Sequence, residues 1–186
     1  MVEQPRTYTV EDLLALPDDA KRRELVEGEI VEMPPSSKVN AIFAAYIIHL
    51  LWAYVLPRQL GFVTGADSGY DINAKNFFQP EAGFITRARA GGMSGVRFPA
   101  APDLAVEIIS PSETSRSVLD KARTYVTSGT RLVWAVYPQN KLVDVYRAAE
   151  DGGLHIQTLD INATLEGGDV LIDFTVKVRN LFAVLE

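Results

Sequence analysis

Residues 102–121, PDLAVEIISPSETSRSVLDK, place acids inside an otherwise apolar strand, and no other feature narrows the possible folds as much. Residues 103–110 have the pattern of a central strand covered on both faces. With a period of two, Asp103, Ala105, Glu107 and Ile109 share one face, and Leu104, Val106 and Ile108 share the other. An ionised carboxylate in such a strand costs several kcal/mol unless a cation or strong donors stand beside it. Glu107 therefore requires a partner.

The segment that follows supplies one. Ser-Pro-Ser-Glu-Thr-Ser is turn and cap chemistry, so a helix starts at Ser112 or Ser115. Val118, Leu119, Ala122, Tyr125 and Val126 recur at helical spacing as its buried stripe. Lys121 falls on the flank of that stripe, about 60° from Val118. From there its stem packs inward and its ammonium reaches back toward the sheet. Gly129 ends the helix, and RLVWAVYP supplies the next buried strand. A strand–helix–strand unit of this kind implies parallel strands with a right-handed crossover.

Composition limits the chemistry. The chain has 186 residues, the length of one domain spanning 1–186, and no cysteine, which removes thiolate sites and disulfides. Only His49 and His155 carry imidazole, too few for a histidine-rich zinc site. A metal here would be bound through oxygen, which suits magnesium or manganese. The net charge of −6 opposes tight nonspecific binding of nucleic acid. The first residues lack a basic region followed by an apolar run, so a cytoplasmic protein is expected. Residues 41–56 carry no charge over sixteen positions but fall short of a span, so a core or interfacial helix stopped by Pro57 is expected.

Elsewhere, Thr9 caps a short helix reaching Leu16, and RRELVEGEIVEM forms a hairpin about Glu27-Gly28. Strands are expected at 61–64, 69–73 and 79–86, and LVDVYR pairs with RLVWAVYP. Further strands fall at 154–159 and 169–174, with a last helix at 178–184. Residues 87–101 form a glycine-rich loop whose Arg87, Arg89 and Arg97 either contact phosphates or are solvated. The fold class is α/β of mixed α+β type: a mixed central sheet flanked by helices.

Glu24, Glu81, Glu107 and Lys121 are the candidate site. Glu81, in QPEAGFIT, is a second acid in an apolar strand, and two carboxylates on adjacent strands suit a hard divalent cation. The plain alternative is a Glu107–Lys121 ion pair with Glu81 solvated on an edge strand. Asp103 is either a cap at the strand start or an outer acid of the site. His49 is expected in the core or at an interface, His155 at the surface, and Trp52 and Trp134 as core or contact aromatics.

The runs RRELVEGEIVEMPP, QPEAGFI, APDLAVEIISPS, DKARTYVTSGTRLVWAVYP and LVDVYR resemble the Uma-type family of restriction endonucleases, within the PD-(D/E)XK nuclease-like superfamily. The likeness runs from Thr9 to Phe182 and is most specific over 102–146. It implies a restriction-endonuclease-like core and a magnesium- or manganese-dependent site hydrolysing DNA phosphodiester bonds. By position, Glu81 takes the first acid and Glu107 the second, both as metal ligands. Lys121 takes the lysine, and Glu24 is an accessory acid. Three positions depart from the pattern: Glu81 replaces aspartate, Ile109 stands at the usual lysine, and Asn40 stands where histidine is frequent. A homodimer is expected, with residues 41–56 as the twofold contact. Two alternatives accompany this reading: a weakened nucleic-acid-binding or regulatory module that retains the fold, and a phosphohydrolase acting on a smaller phosphate substrate.

Overall fold

The computed structural model describes residues 6–17 and 19–185. Helix α1 (Val10–Leu14) starts on a reciprocal cap: the Thr9 hydroxyl accepts from the Asp12 amide, and the Asp12 carboxylate accepts from the Thr9 amide. It closes at Ala15, short of Leu16. Strands β1 (Arg23–Val26) and β2 (Glu29–Glu32) form the expected hairpin. Glu27 and Gly28 both adopt positive φ, 50° and 83°, the turn whose twist matches the flanking strands.

Helix α2 (Lys38–Arg58) is capped by Ser37 and outruns the expected stop. Pro57 lies inside its last turn, where it removes one backbone hydrogen bond without ending the helix, and Gln59 in the left-handed conformation ends it. Only Phe43, Ile47, Leu51 and Val55 are fully buried, one stripe at i, i+4 spacing.

Strands β3 (Gly61–Gly65), β4 (Gly69–Asn73), β5 (Asn76–Phe78), β6 (Ala82–Thr86) and β7 (Arg97–Phe98) precede the central strand β8 (Leu104–Ile108). Helix α3 (Ser115–Thr127) connects it to β9 (Leu132–Tyr137), followed by β10 (Leu142–Ala148) and β11 (Leu154–Leu159). The chain closes with β12 (Thr164–Glu166), β13 (Thr175–Lys177) and α4 (Val178–Phe182). The pattern at 169–174 misleads: those residues form a turn region between β12 and β13, and Leu171 and Phe174 are buried without strand pairing. Likewise β5, of only three residues, and β7, inside the supposed loop, are too short to show periodicity.

The central sheet is six-stranded in the order β11-β10-β9-β8-β6-β3. Within it β8 and β9 are parallel, as the crossover through α3 requires, and every other pair is antiparallel. A second sheet, β2-β1-β5-β4-β7, lies over part of one face, and β12–β13 form a separate ribbon. The two faces of β8 divide as its period of two demands. Leu104, Val106 and Ile108 join the core with α2, Trp134 and the α4 region. Ala105 and Ile109 join the core with Val118, Ala122 and Tyr125 of α3 and with Tyr70 and Phe78 of the second sheet. This is a mixed α/β fold with mixed sheets flanked by helices, and it leaves Glu107 facing α3.

Candidate active site

Helix α3 begins at Ser115, with Thr114 as cap: the Thr114 hydroxyl accepts from the Ser117 amide, and the Ser117 hydroxyl accepts from the Thr114 amide. That start sets the phase of the helix. Val118, Ala122 and Tyr125 turn into the core, and Lys121 stands beside them at the flank.

Glu107 and Lys121 meet as burial requires. The Lys121 ammonium Nζ lies 3.1 Å from Glu107 and 3.0 Å from Glu24 Oε2. The Tyr125 hydroxyl donates to Glu107 Oε1 at 2.8 Å. Lys121 also stands 5.1 Å from the centre of the Phe78 ring. One helix thus supplies two donors to one buried acid, four residues apart on a single face.

Glu24 is 2 % exposed on β1 and does two things. It accepts from Lys121, and its Oε1 accepts the Gln79 amide at 2.8 Å. Glu81 lies just before β6 rather than within it. Its Oε2 accepts the Ile108 amide at 3.0 Å, and its Oε1 faces Arg22 Nη1 at 3.8 Å. β6 is flanked by β8 and β3, so Glu81 is neither on an edge strand nor freely solvated. All four expected residues come together, and Arg22 joins them unforeseen. Asn40, at the first turn of α2, donates to the Ile108 carbonyl at 3.1 Å, which ties that helix to the same strand end.

Charge is unbalanced here. Burial pushes the Glu107 carboxyl up to about 8; Lys121 and the Tyr125 hydrogen bond pull it down, and the nearby carboxylates of Glu81 and Glu24 push it up. For Lys121, burial opposes the charge, but Glu107, Glu24 and Glu81 outweigh it and raise the ammonium above its ordinary value. Burial, then Glu107, holds the Tyr125 hydroxyl well above the usual phenol range. Three carboxylates therefore face one lysine, with Arg22 at longer range.

Beside them a cavity of about 660 Å³ opens between α3 and the β1–β2 hairpin, walled by Glu24, Met33, Phe78, Glu107, Lys121 and Thr124. Glu81 lies outside its wall. Among the described residues no three His, Cys, Asp or Glu side chains are arranged to hold a metal ion. The donors near Glu107 are hard carboxylate oxygens in excess of the local cations. That chemistry fits one magnesium-type ion held by two carboxylates, with water completing its shell.

The other candidates have structural partners. Asp103, 2 % exposed, accepts the Thr86 amide and the Arg89 guanidinium, each at 2.8 Å. Arg97 pairs with Asp71 and Glu11, and Arg87 lies over the Phe62 ring and donates to the Gln59 carbonyl. The three loop arginines thus have partners within the chain. Trp134 is buried against Phe174, and Trp52 packs half-buried on the same core. His49 stacks on Tyr46 along an exposed part of α2, and His155 is exposed on β11.

No curated protein matches this sequence. Among solved structures, the chain resembles a putative nuclease belonging to DUF820 from Anabaena variabilis, with a TM-score of 0.83 at 20% identity, covering 96% of this chain and 99% of that one. The likeness establishes a shared fold from end to end. The family model described as "Putative restriction endonuclease", Uma2, matches residues 10–179, including every residue of the acidic cluster and Lys121. This chain belongs to the Uma2 family.

Proposed function

We propose that this chain is a metal-dependent endonuclease hydrolysing DNA phosphodiester bonds through Glu81, Glu107 and Lys121. The observation that carries the reading is the lysine from α3 meeting the buried acid of β8 at 3.1 Å. A bare ion pair needs one acid and one cation, whereas this lysine is shared between Glu107 and Glu24 with Glu81 close by. Glu81 and Glu107 would hold a magnesium or manganese ion. When bound, such an ion lowers the pKa of a coordinated water and stabilises charge on a phosphoryl oxygen. Lys121, kept charged by three carboxylates, presents a fixed positive charge to the substrate phosphate. Tyr125 and Glu24 hold the orientation of Glu107 and Lys121. Metal-dependent nicking of supercoiled DNA, lost in Glu107→Gln, is the expected result. An intact fold that binds DNA but never cleaves it would support the weakened regulatory module instead.

The acidic balance favours a second reading, a phosphohydrolase for a smaller phosphate substrate. The chain carries −6 overall, and the loop arginines are occupied within the fold. Hydrolysis of nucleotides without DNA cleavage would select it.

For assembly, we propose a homodimer through α2. This helix is long and apolar enough to cross a membrane by length and composition. One stripe is buried in the chain, while Val39, Ile42 and Leu56 face outward. An uncharged face complements a second copy of itself. Light scattering on protein prepared without detergent should give twice the chain mass, and recovery of the protein only in membranes would refute the assignment.

A further inference from the structure

Residues 79–81 step outside both ladders. β5 ends at Phe78 in the five-stranded sheet, and β6 begins at Ala82 in the six-stranded one. Pro80 has no amide hydrogen, so regular ladder bonding cannot carry the chain across. The backbone groups of Gln79 are taken instead by two side chains from one short stretch. Glu24 accepts its amide at 2.8 Å, and Arg22 Nη2 donates to its carbonyl at 2.7 Å. Arg22 and Glu24 are two residues apart, which puts both side chains on one side of an extended chain. Arg22 also faces Glu81, with Nη1 3.8 Å from Oε1. Arg22 Nε and Gln79 Oε1 are buried and have no hydrogen-bond partner among the described residues.

We infer that Arg22 is a positioning residue for Glu81. By holding the Gln79 carbonyl it fixes the peptide entering Pro80, whose ring restricts φ to about −65°. That direction decides where Glu81 leaves the turn relative to Glu107 and Lys121. The Ile108 amide then holds one Glu81 oxygen, and Arg22 limits the swing of the other. Glu24 completes the device by joining the same turn to Lys121. The inference rests on the metal-dependent reading above.

Calorimetric titration of manganese into the wild type, Arg22→Met and Arg22→Lys, with a melting curve for each, is the test. Loss of a residue that orients a metal ligand typically weakens metal binding about 10- to 100-fold. Arg22→Met should show that loss well below its melting temperature. Arg22→Lys, which keeps the charge and a donor for one of the two contacts, should fall between it and the wild type. Wild-type affinity in Arg22→Met, whatever its melting temperature, would overturn the positioning role and leave the metal site standing. No manganese binding by the wild type would overturn both. Should Arg22→Met fail to fold, Arg22→Lys decides alone: intermediate affinity supports the inference, and unchanged affinity overturns it.

Discussion

One strand carries two buried acids on the same face, and they meet opposite fates. Asp103, immediately before β8, is matched: one oxygen takes the Thr86 amide, and the other takes Arg89 with Arg131 nearby at 3.5 Å. Glu107, toward the other end, shares its lysine with Glu24 and stands within the field of Glu81, and burial pushes its carboxyl up to about 8. A carboxylate supplied with donors fastens a strand to its neighbours. A carboxyl crowded by other acids and buried favours its protonated form, and acids perturbed in this way are candidates for functional sites.

The largest effect should come from Lys121→Ala. Nicking should fall on the order of 10² to 10³, the scale for losing one contact to transition-state charge, with manganese affinity nearly intact. Lys121→Arg should rescue poorly, because a planar guanidinium does not reproduce a compact ammonium. A large drop in melting temperature with cleavage retained would reduce the Glu107 end to the same structural status as the Asp103 end.

Asp103→Ala should do the converse. Losing hydrogen bonds to a charged group should destabilise the fold by roughly 2–3 kcal/mol, seen in urea unfolding, with cleavage within a few-fold of wild type. Abolished cleavage in a folded Asp103→Ala would erase the distinction between the two acids.

A finer probe is Glu107→Gln compared with the wild type in chelator across pH. The folded carboxyl is raised above its ordinary value, so its contribution is fully present below about pH 4.5 and is lost as pH rises toward about 8. The glutamine variant has no such titration and should gain on the wild type over that window. A swing of a few kcal/mol is expected across that window, the raised carboxyl already including the pull of Lys121 and Tyr125. A pH-independent difference would show that Glu107 is as well matched as Asp103.

The smallest effect belongs to Asn40→Ala, which removes one donor to the Ile108 carbonyl. About 0.5–1.5 kcal/mol of stability should be lost. A fall in nicking beyond that loss would give Asn40 a part in the site as well as in the fold.

Much of the site was legible because burial and periodicity are local properties of a sequence. An acid in an apolar strand demands a partner, and Lys121 was the cation that helical phase could deliver. Tyr125 was visible as a core residue, but periodicity says nothing of where a hydroxyl points, so its bond to Glu107 was not. Glu81 read as an acid inside an apolar strand, yet it stands before β6, and that position and its bond to the Ile108 amide depend on pairing between distant segments. Arg22 left no signal at all. It stands among charged residues that look like a solvated hairpin edge, and only the passage of 79–81 between two sheets brings Gln79 and Glu81 to it.

The sequence by itself determined the strand–helix–strand unit, the hairpin at Glu27-Gly28, the face that Glu107 occupies and the family to which the chain belongs. The first three follow from periods of two and 3.6 and from turn chemistry, which act over a few residues; the family follows from the likeness of whole runs of residues over 10–179. Tertiary structure alone decided that two sheets share the α3 face, that Pro57 lies inside its helix, and that residues 22–24 grip residues 79–81 across more than fifty positions of chain. The physical reason is that an unpaired backbone group or a buried charge accepts whichever partner the packed core brings near, and that choice is made in space rather than along the chain.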